Sequence, residues 1–108
     1  MDYRKVTAIV RHDVLKKVER KLVELGVQGI SVTLVRGFGD YADCFSSDWT
    51  ASHARIELFT SAEEADPIAQ SVMEAAHVGL EGDGTVAIVP VEKLYQIRTR
   101  SEVSKGSE

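Results

Sequence analysis

The chain has 108 residues, 44% of them hydrophobic, with 13 basic against 17 acidic residues and a formal net charge of −4. This length predicts one domain with a small core, and it favours oligomerisation because a short chain buries a limited share of its surface. The acidic balance argues against a nucleic-acid binder, which would carry a basic excess on one face. The single cysteine, Cys44, excludes an internal disulfide and indicates a reducing compartment. No apolar run reaches membrane-spanning length, so we expect a cytoplasmic protein without membrane insertion.

The first half of the chain predicts a strand, a helix and a second strand. Apolar residues alternate over Lys5 to Arg11 and again over Gly29 to Arg36, which is the period of a strand. Between them apolar residues recur at helical spacing after Asp13, a candidate N-cap, and the pattern ends at Gly26, a candidate C-cap. The inner stripe of this helix would be Leu15, Val18, Leu22 and Leu25.

A long loop is predicted from Asp40 to His53, where neither period is present. Loops of this length inside a small domain are often functional. Exposed aromatic side chains frequently anchor partner proteins, and the alternative is that they fold back on their own protein. The candidate anchors are Tyr41, Phe45 and Trp49.

The second half of the chain predicts a strand, a helix and a strand again. Ala54 to Thr60 is strand-like, with Ile56 and Leu58 directed inward. A capping box at Ser61 and Asp66-Pro67 compete as the helix start, and we place the helix from Pro67 to about His77 because proline is costly inside a helix. The remaining expectations are a strand over Thr85 to Val89 stopped by Pro90, a short extra strand over Gln96 to Arg98, and a flexible tail over Ser101 to Glu108.

This order predicts an α+β, ferredoxin-like βαββαβ domain with a short extra C-terminal strand. The domain would cover residues 1–100, with the loop at about 40–53 and the tail at 101–108. Helices would cover one face of the sheet. Alternation does not decide which face, but either set is too apolar to be left to water, so we expect the open face to pack against other subunits.

Two glycine corners are candidate anion sites: Arg36-Gly37-Phe38-Gly39 and Gly82-Asp83-Gly84. Glycine lets the chain turn with positive φ and lets a ligand approach the backbone amides closely. Arg98 adds a cation near the end of the chain. The alternative is that both corners are plain turns and that Arg98 is solvated.

A metal site is a less favoured hypothesis. Cys44 and His53, with Asp43 and Asp48, are chemically suited to bind a metal, but their spacing matches no structural zinc pattern. No paired catalytic carboxylates and no activated nucleophile can be located, so we do not expect an enzyme.

The chain resembles the P-II nitrogen-regulatory signal transducers over roughly residues 5–100. The stretches that carry the resemblance are Val6 to Arg11, Leu22 to Thr33, Val35 to Gly39, Arg55 to Leu58, Gly82 to Gly84 and Ile97 to Thr99. The resemblance implies a homotrimer, adenine-nucleotide sites in the clefts between subunits, and a loop (the T-loop) that docks on target proteins. No resident cofactor is implied.

The resemblance also implies a set of site residues. Those that match binding positions of the family are Ser31, Gly37, Phe38, Gly39, Glu57, Gly82, Asp83, Gly84 and Arg98. The chain departs from the family at Asp40-Tyr41, which stands in place of Arg-Gln, at Thr85, in place of lysine, and at Gln96, in place of arginine. The missing glutamine is the family residue that helps to hold Mg-ATP with 2-oxoglutarate. The T-loop is also shorter than in the family.

The function that the resemblance implies is small-molecule sensing. An effector would bind between subunits, and the T-loop would then regulate a partner such as a transporter or a metabolic enzyme. Two absent cations favour ADP or AMP over Mg-ATP, and bicarbonate is an alternative anion. A second hypothesis is a metal-responsive P-II-like protein that uses Cys44 and His53 of the loop.

Overall fold

The computed structural model describes residues 2–37 and 53–103. A 3-10 turn, His12–Val14, follows the first strand. The helices and strands, in chain order, are β1 (Tyr3–Arg11), α1 (Leu15–Glu24), β2 (Ser31–Val35), β3 (His53–Ser61), α2 (Ala62–Ala76), β4 (Gly84–Val91), β5 (Tyr95–Gln96) and β6 (Ser101–Glu102).

The βαββαβ order is confirmed. Four strands form one antiparallel sheet in the order β2-β3-β1-β4, and β5 pairs with β6 in a separate two-stranded hairpin. Both helices lie on one face of the main sheet. The apolar core between helices and sheet contains Val6, Ala8, Val10, Val18, Leu22, Ile56, Leu58, Ala65, Ile68, Val72, Ala75 and Ala76.

Helix α1 ends where the sequence predicts and begins slightly differently. Gly26 follows the helix with φ of +82°, the left-handed conformation typical of a C-terminal glycine. Asp13 is not the N-cap: it lies inside the 3-10 turn, and Val14 occupies the cap without a side-chain hydrogen bond. Val18 and Leu22 are buried as expected, whereas Leu25 is 44% exposed because it lies beyond the last helical turn.

Helix α2 begins five residues earlier than the prediction. It starts at Ala62, and the Ser61 hydroxyl accepts a hydrogen bond from the Glu64 amide at 3.3 Å, so Ser61 is the N-cap that defines the start. Pro67 therefore lies inside the helix. Pro67 has no amide hydrogen, so one carbonyl of the preceding turn has no partner in the helix. Because Pro67 is exposed, water can bond to that carbonyl, and the cost of a proline inside the helix is lower than the prediction assumes.

Strand β4 continues through Pro90, where the sequence predicted a stop. It runs from Gly84 to Val91 and, among the strands of the described residues, pairs with β1 alone. Because β4 is an edge strand, a residue without an amide hydrogen is tolerated there.

The C-terminal part also differs from the prediction. Gln96 belongs to β5, but Ile97 and Arg98 lie in the turn of the β5–β6 hairpin. Ser101 and Glu102, which we assigned to the tail, form β6, and the Val103 amide donates to the Leu94 carbonyl at 2.8 Å. The ordered hairpin thus extends beyond the predicted domain end. Residues 104–108 of the predicted tail lie outside the described residues.

The last residue of the predicted loop, His53, belongs to the sheet. His53 is the first residue of β3 and is paired with Arg11 of β1 and Val35 of β2. Residues 40–52, which include the three candidate aromatic anchors, lie outside the part of the chain that the structure describes.

The structure decides which sheet face is covered. Val6, Ala8 and Val10 face the helices, and Thr7 and Ile9 lie on the open face. Phe59 is 53% exposed on that open face, whereas Leu34 of the edge strand β2 pairs with Ala54 and so lies on the helix-covered side of the sheet. Ile9 and Phe59 belong to the surface that we expect a neighbouring subunit to cover.

Candidate anion-binding corner

The second glycine corner lies in the segment that joins α2 to β4. It is found at the end of the sheet where β1 and β2 stop and where β3 and β4 start. Gly79, Gly82 and Gly84 have positive φ values of 90°, 86° and 108°. The segment therefore turns sharply twice before it enters β4.

The Asp83 carboxylate stabilises this corner through hydrogen bonds to three groups around it. Its Oδ2 accepts hydrogen bonds from the amides of Val78, at 3.1 Å, and Gly79, at 2.9 Å, and its Oδ1 accepts one from Arg11 Nε at 3.2 Å. The Gly79 amide first, and then the Val78 amide and Arg11, lower the pKa of the Asp83 carboxyl to about 2, against the opposing effect of desolvation. The carboxylate thus holds the segment in shape.

Two further side chains hold the corner through its carbonyl groups. Arg11 Nη2 donates to the Glu81 carbonyl. His53 Nε2 lies 2.7 Å from the Gly82 carbonyl oxygen, and since a carbonyl only accepts, Nε2 carries the proton. Arg11 and His53 are directly paired across β1 and β3, so one cross-strand pair holds two consecutive carbonyls.

Gly84 is needed for packing. Its φ of +108° is rarely adopted by residues with a side chain, and a Cβ built on it would overlap the Ile9 carbonyl oxygen and lie 2.8 Å from the Ile9 carbonyl carbon. The glycine therefore permits close approach of β4 to β1, where Gly84 is paired with Val10.

Three consecutive amides remain for a ligand. The Asp83 amide donates to the Leu80 carbonyl at 3.3 Å and closes a turn. Within the described ranges, the amides of Leu80, Glu81 and Gly82 inside that turn have no hydrogen-bond partner. Successive free amides in a tight turn form a concave site for an anion, such as a phosphate oxygen or a carboxylate. Of the predicted triplet, Gly82 thus has a free amide in this turn, whereas the Asp83 amide is used to close it.

The first corner lies at the same end of the sheet. Gly37 follows Val35, which pairs with His53, and the His53 side chain contacts the second corner. Phe38 and Gly39 lie outside the described residues. One chain thus brings the start of its first corner close to its second.

Ser31 and Glu57 form a separate pair on the open face. They are direct cross-strand partners. Glu57 accepts from Lys5 at 3.0 Å and lies 3.5 Å from Arg55. The hydrogen bond from Lys5, with the charges of Lys5 and Arg55, lowers the pKa of the Glu57 carboxyl, and desolvation opposes the shift. Glu57 is therefore already balanced by two cations.

Arg98 lies on a hairpin whose base is at the opposite end of the sheet from the second glycine corner of its own chain. The base of its hairpin, Leu94 and Val103, lines a cavity of about 410 Å³ together with Tyr3, Gly29 and Ser61. These last residues mark the opposite end of the sheet, where β1 starts and β3 ends. A nine-residue strand such as β1 spans roughly 30 Å. Next to Arg98, at the tip of the hairpin, Ile97 is 91% exposed.

Sequence reasoning missed Arg11 and His53 as parts of the corner. Arg11 ends β1, 72 residues before Asp83, and no local pattern shows that the two meet. The sequence predicts His53 to be a loop residue and a candidate metal ligand, whereas the structure places it in β3, where it is 1% exposed and its Nε2 is bonded to the Gly82 carbonyl. Cys44, Asp43 and Asp48 lie outside the described residues, and among those described no three metal-binding side chains are grouped.

The fold and the corner define the class of protein: a small ferredoxin-like α+β domain that presents free amides at one end of its sheet. The chain matches the family described as nitrogen regulatory protein P-II over residues 3–101. It therefore belongs to the P-II family. Proteins of this family are regulatory proteins and are typically trimers.

Individual relatives agree with this assignment. The nitrogen regulatory protein GlnK2 of Haloferax mediterranei is 33% identical, with 87% of this chain and 82% of the relative covered. The P-II protein of Nostoc punctiforme is 33% identical, with 89% and 92% covered. The P-II homologue of Arabidopsis thaliana is 28% identical, and the alignment spans only 57% of its length.

A solved structure matches over nearly the whole chain. The crystal structure of Arabidopsis thaliana PII bound to citrate superposes with a TM-score of 0.80 at 27% identity, covering 96% of this chain and 91% of that one. Among the helices of the described residues, none has the length and apolar character required to cross a membrane.

Proposed function

We propose that this protein is a cytoplasmic regulator that binds a small anionic effector in clefts between the subunits of a homotrimer. The effector is an adenine nucleotide, with ADP and AMP favoured over Mg-ATP, or a smaller anion such as bicarbonate. The observation that carries the proposal is the turn at Leu80 to Gly82. Its three amides have no hydrogen-bond partner among the residues that the structure describes, while the carbonyls of Glu81 and Gly82 accept from Arg11 and His53. A turn held in this way need not reorganise when an anion binds.

The separation of Arg98 from the corner supports a cleft between subunits. Arg98 lies on a hairpin whose base is at the far end of its own sheet, and the apolar tip of that hairpin is almost fully exposed. A second copy of the chain would bring its Arg98 to the corner of the first and would cover the exposed Ile97. Closed rotational symmetry would then repeat the cleft around the trimer.

The charges near the corner support a nucleotide with fewer phosphates. Thr85 directly follows Gly84, and Gln96 is in β5, so both positions are neutral where the family has cations. A charge-assisted hydrogen bond contributes about 1.5–3 kcal/mol, so two missing bonds weaken a triphosphate by about two to four orders of magnitude. The Arabidopsis relative was solved with citrate, a polycarboxylate, which fits a site selective for anions.

Titration calorimetry with AMP, ADP and ATP tests the effector class. We expect heat from ADP or AMP and a weaker response to Mg-ATP. The double variant Thr85→Lys, Gln96→Arg restores the two cations, and it should raise the affinity for ATP more than that for AMP. No heat from any of the three nucleotides, with a folded trimer in the cell, would contradict the nucleotide proposal.

We further propose that residues 40–52 are the segment that binds a target protein. They contain Tyr41, Phe45 and Trp49, which are the amphipathic and apolar side chains that commonly anchor partners. The target would be a transporter or a metabolic enzyme. A pull-down with the wild type and with a chain lacking residues 45–50 should recover the target with the wild type alone. Equal recovery of the same proteins by both chains would refute this part.

A further inference from the structure

The His53 side chain makes a buried contact with the glycine corner. His53 is the first residue of β3, it is 1% exposed, and its Nε2 donates to the Gly82 carbonyl across 29 residues of sequence. A buried imidazole that is directed at a backbone carbonyl fixes that carbonyl strongly, because competing water is excluded.

The contact sets the direction of the neighbouring amides. In a trans peptide the carbonyl of one residue and the amide of the next point in opposite directions. Holding the Gly82 carbonyl towards His53 therefore turns the Asp83 amide the other way, where it donates to the Leu80 carbonyl and closes the turn. Holding the Glu81 carbonyl towards Arg11 directs the Gly82 amide away from Arg11.

Hydrogen bonds are needed to hold the corner in one conformation because glycine is conformationally free. Gly82 has no side chain to restrict its backbone, so its positive-φ conformation is one of several that the residue could adopt. Asp83 and Arg11 hold the two sides of the turn, and among the described residues His53 alone bonds to Gly82 itself.

We propose that His53 is a positioning residue that holds the Leu80–Gly82 turn in its anion-receiving shape. The proposal rests on the effector site described above. Charged groups that face this contact are Arg11, from β1, and Asp83, from the corner.

The test compares three variants. His53→Leu removes the donor and keeps an apolar side chain in the buried position. His53→Gln keeps an amide donor at about the distance of Nε2 from the backbone. His77→Leu is the matched control, since His77 is an exposed histidine beside the same corner whose ring lies 3.7 Å from the position of a Cβ on Gly79.

Two measurements are made on each trimer, both with the full chain. Hydrogen exchange of the ligand-free protein should be about tenfold faster at the Asp83 amide in His53→Leu, and unchanged in His53→Gln and His77→Leu. The affinity for ADP should fall about fivefold to tenfold in His53→Leu, which is the loss of one hydrogen bond, and recover in His53→Gln.

The outcomes separate the two proposals. If the wild type binds none of AMP, ADP and ATP, the proposed effector class fails, while the exchange rates still decide whether His53 holds the corner. If the wild type binds ADP and His53→Leu matches it in both exchange and affinity, the positioning role is overturned. Equal loss in His53→Leu and His53→Gln would also overturn it, since a steric effect of the ring would then explain the result.

Discussion

Substitution of Gly84 by alanine tests the close approach of β4 to β1. A Cβ at this position would overlap the Ile9 carbonyl oxygen, and the φ of +108° is itself unfavourable for alanine. The backbone of β1 cannot give way as a flexible side chain would, so β4 must move and its ladder hydrogen bonds must weaken.

The expected loss in the free energy of unfolding has two contributions. Forcing alanine into a positive φ costs about 1–2 kcal/mol, and each weakened ladder bond costs about 1 kcal/mol. With two or three bonds affected, we expect a loss of about 4 kcal/mol in the free energy of unfolding, which is in the range that single substitutions reach only with a named structural cause.

Two other glycines provide controls. Gly26 has a φ of +82° with nothing within 4 Å of an added Cβ, so Gly26→Ala isolates the backbone cost of about 1–2 kcal/mol. Gly29 also has nothing within 4 Å and no positive φ, so Gly29→Ala should stabilise the fold by about 0.4–1 kcal/mol, because alanine lowers the entropy of the unfolded chain. Chemical denaturation at one fixed protein concentration measures all three. A Gly84→Ala protein as stable as Gly26→Ala would refute the packing argument.

Two further predictions concern Asp83 and the start of α2. The pKa of Asp83 is lowered from an ordinary 3.8 to about 2, so its ionised form stabilises the fold above the ordinary value and this contribution is lost as pH falls towards 2. Thermal melts of Asp83→Asn should therefore show a flatter loss of stability between pH 5 and 2 than the wild type, and an identical acid slope would contradict the assigned contacts. Ser61→Ala removes the hydroxyl that accepts from the Glu64 amide and should cost about 1 kcal/mol in denaturation, whereas no change would show that another group caps the helix.

The fold could be predicted because its signals are local. The alternation in β1 and β3 placed Val6, Ile56 and Leu58 inside, and Gly26 marked the end of α1. The prediction was wrong at two prolines, where the surrounding structure reduces the cost that proline usually has inside a helix or strand. Pro67 is tolerated inside α2 because it is exposed, and Pro90 is tolerated in β4 because that strand is at an edge.

The candidate site could be predicted only in part. Glycines marked the corner, since backbone freedom is a property of the residue itself. The roles of Asp83 and His53 could not be predicted, because each depends on partners far away in sequence: Arg11 is 72 residues from Asp83, and His53 is 29 residues from Gly82. For the same reason, the sequence could not show that Arg98 is separated from the second corner, because this depends on where the β5–β6 hairpin packs on the sheet.

The central claim is that the glycine corner of one subunit and Arg98 of another form a single effector site. Calorimetry with ADP on mixed trimers tests it directly, using Gly82→Asp to place a negative charge in the corner and Arg98→Ala to remove the cation. Each variant alone should form trimers that do not bind. Trimers refolded from an equal mixture should recover about a quarter of the wild-type binding capacity, because a quarter of the clefts combine an intact corner with an intact Arg98. Two trimeric variants whose mixture recovers no binding would contradict the account.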